Sequence, residues 1–210
     1  MATTKTLSNF KSRLEGGGAR PNLFEVTLPA FPGAAEDFWG EGEDESNTKF
    51  SFLCKAAQLP ASTVASVPVA FRGRELKVAG ERTFDPWTVT VINDENFALR
   101  TAFEQWMNKL SKLNDATGVT NPGSYMVNAN VKQLGRGFQA ESESNTGSNT
   151  SVLRTYEFYD IWPSNVSAID LSYDTTNTVE EFQVEFQVQY FSIGEAEEDA
   201  SSDDKQGTIQ

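Results

Sequence analysis

Residues 67–113 read VPVAFRGRELKVAGERTFDPWTVTVINDENFALRTAFEQWMNKLSKL, and three elements follow one another within them. Val69–Ala79 alternates around Gly73, which predicts a projecting hairpin or a bulge. Trp87–Ile92 alternates cleanly and predicts a strand. A helix comes next. Asn93 or Asp94 is its cap, and Asp94 and Glu95 suit the positive end of its dipole. Leu99, Phe103, Trp106, Leu110 and Leu113 then recur at helical spacing as one apolar stripe, expected to pack against a sheet.

Outward from this stretch the chain is strand-rich. On the N-terminal side, Asn22–Leu28 and Thr48–Lys55 both alternate and predict a hairpin whose loop is the segment 29–47. In that reading Phe50 and Phe52 share one face, with Ser51 and Leu53 on the other. Ala56–Pro68 reads as an extended connection. Before all of these, Leu7, Phe10 and Leu14 predict a short docking helix, and Gly16-Gly17-Gly18 a flexible joint. On the C-terminal side, Tyr125–Leu134 is a candidate strand and Gly135–Thr150 a polar loop. Val152–Ile161 predicts a strand ended by Trp162-Pro163, with Trp162 anchoring a corner. Val179–Ile193 alternates longest. Phe182, Val184, Phe186, Val188 and Tyr190 point one way, and Gln183, Glu185, Gln187 and Gln189 the other. About seven strands and one helix predict a mainly β fold, a β-sandwich or small barrel with one packed α-helix.

The charge is unevenly placed. The net charge is -13 over 210 residues. The segment 29–47 holds Glu36, Asp37, Glu41, Glu43, Asp44 and Glu45 with no base. The end of the chain, 194–210, holds six acids against Lys205. These two appendages carry nearly all of the net charge, so the body is close to neutral and is not built to grip a phosphate backbone. The predicted organisation is an N-terminal arm (1–19), one domain (20–193, with the acidic insertion 29–47) and an acidic C-terminal tail (194–210), the insertion being the better ordered of the two appendages. No run of about 18 apolar residues predicts a membrane span.

The residues that usually carry chemistry are scarce. There is no His, which removes the commonest general base and the Ser-His-Asp and Cys-His arrangements. The single Cys54 sits inside an apolar run and reads as a buried structural thiol. The Gly16–Gly18 run lacks the Lys-Ser/Thr of a phosphate loop. Glu43-Asp44-Glu45 lacks calcium-loop spacing and reads as solvated charge. Glu180 and Glu181 are neighbours on a strand and face opposite ways, so they do not converge on one substrate. No catalytic, metal or cofactor site is expected. The pattern that stands out is Arg72, Arg74, Lys77 and Arg82 in the projecting hairpin, a set suited to an acidic surface on another copy of the chain, the alternative being a plain solvated hairpin.

Taken together, ARPNLFEV (19–26), FLCKAAQLPAS (52–62) and the run from 67 to 113 resemble the tail tube proteins of contractile-tailed bacteriophages. The likeness continues more loosely through IWPSNV (161–166), 171–174 and 182–190. The resemblance implies hexameric rings whose sheets join as one continuous inner β-barrel, as in the type VI secretion ring protein and contractile bacteriocin tubes. It implies a structural virion protein rather than an enzyme, assembled in the host cytoplasm into the virion tail. Its partners would be further copies of itself, the tail sheath protein, the baseplate and tail terminator proteins, and, in the lumen, the tape measure protein and double-stranded DNA. Arg72, Arg74, Lys77 and Arg82 would then lie at the ring-stacking surface. The polar, unpaired row Gln183, Glu185, Gln187 and Gln189 would face the lumen, and both acidic appendages would lie outside the bore. Two other readings share the pattern: the tube of a non-viral injection device delivering protein cargo, and a β-sandwich binding module. The second needs an exposed aromatic platform, for which only Trp39 is free of a core or corner reading.

Overall fold

The computed structural model describes residues 6–14, 18–29, 31–32, 45–138 and 150–195. Most of the acidic insertion with Trp39, the polar loop at 139–149, Gly16-Gly17 and the tail from 196 onward lie outside the described residues.

Among the described residues, nine strands and three α-helices follow in the order α1 (Leu7–Arg13), β1 (Phe24–Thr27), α2 (Glu45–Leu53), β2 (Cys54–Ala57), β3 (Ser62–Phe71), β4 (Arg74–Phe84), β5 (Trp87–Ile92), α3 (Ala98–Leu110), β6 (Val127–Phe138), β7 (Thr150–Val166), β8 (Glu181–Gln187) and β9 (Tyr190–Glu195). The fold is mainly β. Seven strands form one bent sheet in the order β1-β6-β7-β8-β5-β2, with β9 added to β7, while β3 and β4 pair only with each other. Every pairing is antiparallel.

The bend lies in β7. Its first part pairs with β6 and β9, and from Trp162 to Val166 it pairs with β8. Asp160 between them has φ +53°, a left-handed conformation that turns the strand. The strand therefore runs through Trp162-Pro163 instead of ending there. Pro163 is tolerated because its pairing with β6 has already stopped at Ile161, so no donor is needed on that side.

The bend folds the sheet over a shared core. Val89, Val91, Phe182, Val184 and Phe186 from one half face Val26, Ala129, Val131 and Phe158 from the other, all buried. α3 closes the side with Leu99, Phe103 and Trp106, as its apolar stripe predicts. The helix is shorter than that stripe. It ends at Leu110, with the Ser111 N–H donating to the Met107 carbonyl, and Leu113 is 97% exposed. Asp94 caps it through a bond from the Ala98 N–H to Oδ1 at 3.1 Å, while Phe97 occupies the turn at φ +53°.

Two predicted elements, with one predicted pairing, are overturned. The segment around TKFSF is helix α2, not a strand, so β1 pairs with β6 and β2 with β5, and the hairpin across the acidic insertion does not form. Residues two apart on a helix lie on opposite sides. Accordingly Phe50 is buried against Phe31 and Phe103, in edge-on contacts at 6.0 Å, whereas Phe52 is 82% exposed. Val179–Ile193 is likewise two strands. The ladder breaks at Val188-Gln189, beside the bend in β7, and the alternation resumes with the opposite phase. Phe191 takes the core side against Phe158, and Tyr190 stacks on Tyr159 at 4.6 Å.

Candidate assembly surfaces

β3 and β4 form a long ribbon joined at Arg72-Gly73, where both residues have positive φ (+49° and +81°). Such a turn matches the twist of a tight hairpin, and it places a non-glycine residue, Arg72, in a conformation that costs about 1–2 kcal/mol. The ribbon projects from the body, and nearly all of it is exposed. Its register gives it two unlike faces. Val67 with Val78, Val69 with Leu76, and Phe71 with Arg74 lie on one; Ser66 with Ala79, Pro68 with Lys77, and Ala70 with Glu75 lie on the other. The first is a continuous row of exposed aliphatic and aromatic side chains. Backbone approaches closely at Gly80, where a Cβ would stand 3.0 Å from the Val67 Cγ2 and 3.1 Å from the Ala65 carbonyl oxygen.

The expected projecting hairpin is thus present, and the four cations on it are all exposed. They do not form one patch. Arg72 is at the turn, lying over the Phe71 ring at 5.4 Å. Arg74 belongs to the apolar face and Lys77 to the opposite one. Arg82 pairs with Val64 beyond an irregularity, near the root. None of the four takes part in an ion pair among the described residues.

The row read as a polar strand face divides as well. Gln183 pairs with Thr90 and Glu185 with Thr88 in register, giving an uncharged or acidic surface on β5 and β8. Gln183 and Gln189 are exposed, whereas Glu185 and Gln187 are half-buried. Gln187 is not unpaired: its Nε2 donates to the Ser164 Oγ at 3.2 Å. Gln189 lies in the break after β8 and does not continue the row. Lys55, on the neighbouring strand β2, is held by Glu181 at 2.5 Å. On the other half of the sheet, the Tyr159 hydroxyl donates to the Glu157 carboxylate at 2.5 Å, and this bond raises the tyrosine pKa above its ordinary value.

Two further surfaces carry exposed apolar side chains. The connection between β7 and β8 exposes Leu171, Tyr173 and Val179 among Asp170, Asp174 and Glu180. The residues gave it no role of its own beyond the looser likeness at 171–174, because its role depends on which end of the sheet it occupies. Helix α1 forms as expected, capped by Thr6, but buries nothing: Leu7, Phe10 and Leu14 are all exposed. Cys54 is buried, and its desolvation pushes the thiol pKa to about 12, so it is an inert core residue.

The likenesses to known proteins agree with this architecture. The profile of the family described as "Phage tail tube protein" matches residues 19–194. The tail tube protein gp19 of Enterobacteria phage T4 is 34% identical over 177 residues, covering 84% of this chain and 92% of that protein. The tail tube protein of Serratia phage KSP90 is 21% identical over 190 residues, covering 89% of this chain and 94% of its own length. Among solved structures, the tube terminating cap of the anti-feeding prophage superposes with a TM-score of 0.54 at 15% identity, over 85% of this chain and 92% of that one. A β-rich body, a projecting ribbon and a match along almost the whole domain converge: this chain belongs to the phage tail tube protein family, structural components of the virion tail.

Proposed function

We propose that the protein builds the inner tube of a contractile tail: six copies close into a ring, rings stack head to tail, and the bore conducts double-stranded DNA during infection. The observation that carries this reading is the β3–β4 ribbon, a long antiparallel pair with an apolar face turned to solvent that no other strand covers among the described residues. Monomeric proteins avoid such faces, and in an assembly they are covered. The bent sheet adds outer edges at β1 and β2 that carry no neighbouring strand among the described residues, and closing a ring by strand pairing between copies removes such edges. The bore fits the β5–β8 surface of Thr88, Thr90, Gln183 and Glu185, because a wall without free cations lets a polyanion slide. Arg72, Arg74, Lys77 and Arg82 then serve contacts between rings or with acidic partners.

The sheath surrounds such a tube, the baseplate and terminator proteins cap its two ends, and the tape measure protein fills it before DNA does. The role is structural and needs no catalysis. Mass measurement and negative-stain microscopy at rising concentration test it. Rings and tubes, in free solution or grown on a baseplate template, are expected. A strictly monomeric species at high concentration that also fails to grow from a baseplate overturns the proposal.

A further inference from the structure

If the ribbon stacks on another copy, something on that copy must receive it, and the sheet register points to a site. β5 begins at Trp87, three residues after the ribbon ends at Phe84, and finishes at Ile92, which pairs with Glu181 at the start of β8. At roughly 3.3 Å per residue the two ends of β5 are about 17 Å apart. The ribbon root is at one end of this sheet half, and the connection leading into β8 is at the other. β7 arrives at that same far end, since Val166 pairs with Val184.

The two ends have complementary chemistry. At the ribbon tip, Phe71 and Leu76 are 67% and 64% exposed beside Arg72 and Arg74. At the far end, the run Asp170-Leu171-Ser172-Tyr173-Asp174 sets an 80% exposed leucine and a fully exposed tyrosine between two carboxylates. None of these four charged residues has an ion-pair partner among the described residues. The far end also carries Asp94, Glu95, Glu180 and Glu181. The lysines that oppose them, Lys49 and Lys55, are already held by Asp94 at 2.7 Å and by Glu181 at 2.5 Å. Beside the run opens a concavity of about 240 Å³, lined by Asp170, Thr178 and Glu180 among others, with room for an arginine side chain. A partner that brings both apolar groups and cations relieves both the exposed hydrophobic surface and the mutual repulsion of the carboxylates.

We propose that the connection between β7 and β8 of one copy receives the β3–β4 ribbon tip of a second copy. Leu171 and Tyr173 pack against Phe71 and Leu76, while Asp170 and Asp174 pair with Arg72 and Arg74. The inference rests on the stacking reading above and names its receiving surface. Because the root of the ribbon and the receiving connection lie at opposite ends of this half of the sheet, the contact does not close between two copies but propagates.

Reciprocal charge exchange on the full chain tests this. Arg72→Glu/Arg74→Glu alone and Asp170→Arg/Asp174→Arg alone should each raise the concentration needed for tube growth by about tenfold or more, with ring formation and the far-ultraviolet spectrum unchanged. Mixed in equal amounts they should co-assemble, since each variant's tip then meets the other's opposite charge. Assembly of the Asp170/Asp174 variant at wild-type concentration, or failure of the mixture to rescue two folded variants, overturns this pairing and leaves the tube itself standing. Wild type that never forms tubes overturns the stacking reading instead. As a measurement independent of charge reversal, an Arg72→Cys/Tyr173→Cys variant treated with a short bis-maleimide should give a ladder of covalent multimers, with Cys54 buried and silent. Folded tubes that yield no such ladder count against the contact.

Discussion

Trp87 lies flat on Phe158, the ring centroids 4.5 Å apart and the planes inclined by 21°. One ring comes from β5 and the other from the part of β7 that pairs with β6 and β9, so this contact joins the two halves of the bent sheet. The indole N–H is satisfied by the Gln58 carbonyl at 2.9 Å, which lets a polar atom sit inside the fold. Trp87→Ala and Phe158→Ala should each cost roughly 3–5 kcal/mol in urea denaturation. The double variant should reveal a coupling of about 0.5–1.5 kcal/mol. Strict additivity would mean that the two halves are not joined here.

Phe50 and Phe52 separate a helix from a strand at 45–53. In a strand, truncating either would be felt alike. On α2, Phe50→Ala should cost about 3–5 kcal/mol because it empties the pocket beside Phe31 and Phe103. Phe52→Ala should stay within about 0.5 kcal/mol of wild type. Equal losses in thermal or chemical unfolding would refute the helical placement.

Cys54 makes stability fall at alkaline pH. Its folded pKa is raised from 9.0 to about 12 by burial. The neutral thiol is therefore favoured in the fold, and that advantage is complete below pH 9, shrinking as the pH climbs towards 12. Cys54→Ala should lose less stability than wild type over this window, and Cys54 should resist maleimide at pH 8 until denaturant is added. Rapid labelling of the folded protein would contradict the burial.

The loop after α3 folds back on the helix end. The Val119 N–H donates to the Lys109 carbonyl at 3.1 Å, and a Cβ on Gly118 would stand only 1.9 Å from the Leu110 carbonyl oxygen. Gly118→Ala should therefore cost roughly 1–3 kcal/mol and speed hydrogen exchange at Val119 and Lys112. Unchanged exchange and melting temperature would show that the loop has room to move aside.

In the assembled tube, Gln183→Lys/Glu185→Lys, on the β5–β8 surface, should leave tubes intact and slow DNA release, with the effect fading at high salt as bound phosphates are displaced. Gln187 is left out because it serves Ser164. Unaltered release kinetics at low salt would remove these residues from the bore.

What could be read from the residues, and what could not, follows from where each signal lives. α3 was legible because its stripe repeats at 3.6 residues over four turns and is used as written, apart from Leu113 beyond the last turn. The ribbon was legible because Gly73 interrupts an alternating run. α2 was not. The order Phe50-Ser51-Phe52 alternates like a strand, and the helix is settled by what Phe50 finds in space, Phe31 and Phe103, which lie far away in the chain. The break between β8 and β9 was hidden for a related reason. Val188-Gln189-Tyr190 keeps the alternation, and the interruption answers the turn at Asp160 in the facing strand. The cations of the ribbon were found at once, but only the register could distribute them over two faces and a root. The acidic end opposite them needed the pairing of Ile92 with Glu181 before it had a location at all.

β7 carries a constraint on how such a chain can change length. Seventeen residues without interruption serve β6 and β9 on one side of the bend and β8 on the other. A single residue inserted before Asp160 would turn over every side chain between it and the bend, exchanging Phe158 for its polar neighbours; one inserted after it would do the same to the partners of β8. A change in the length of this protein is therefore expected in the connections between strands, with the count in β7 left untouched.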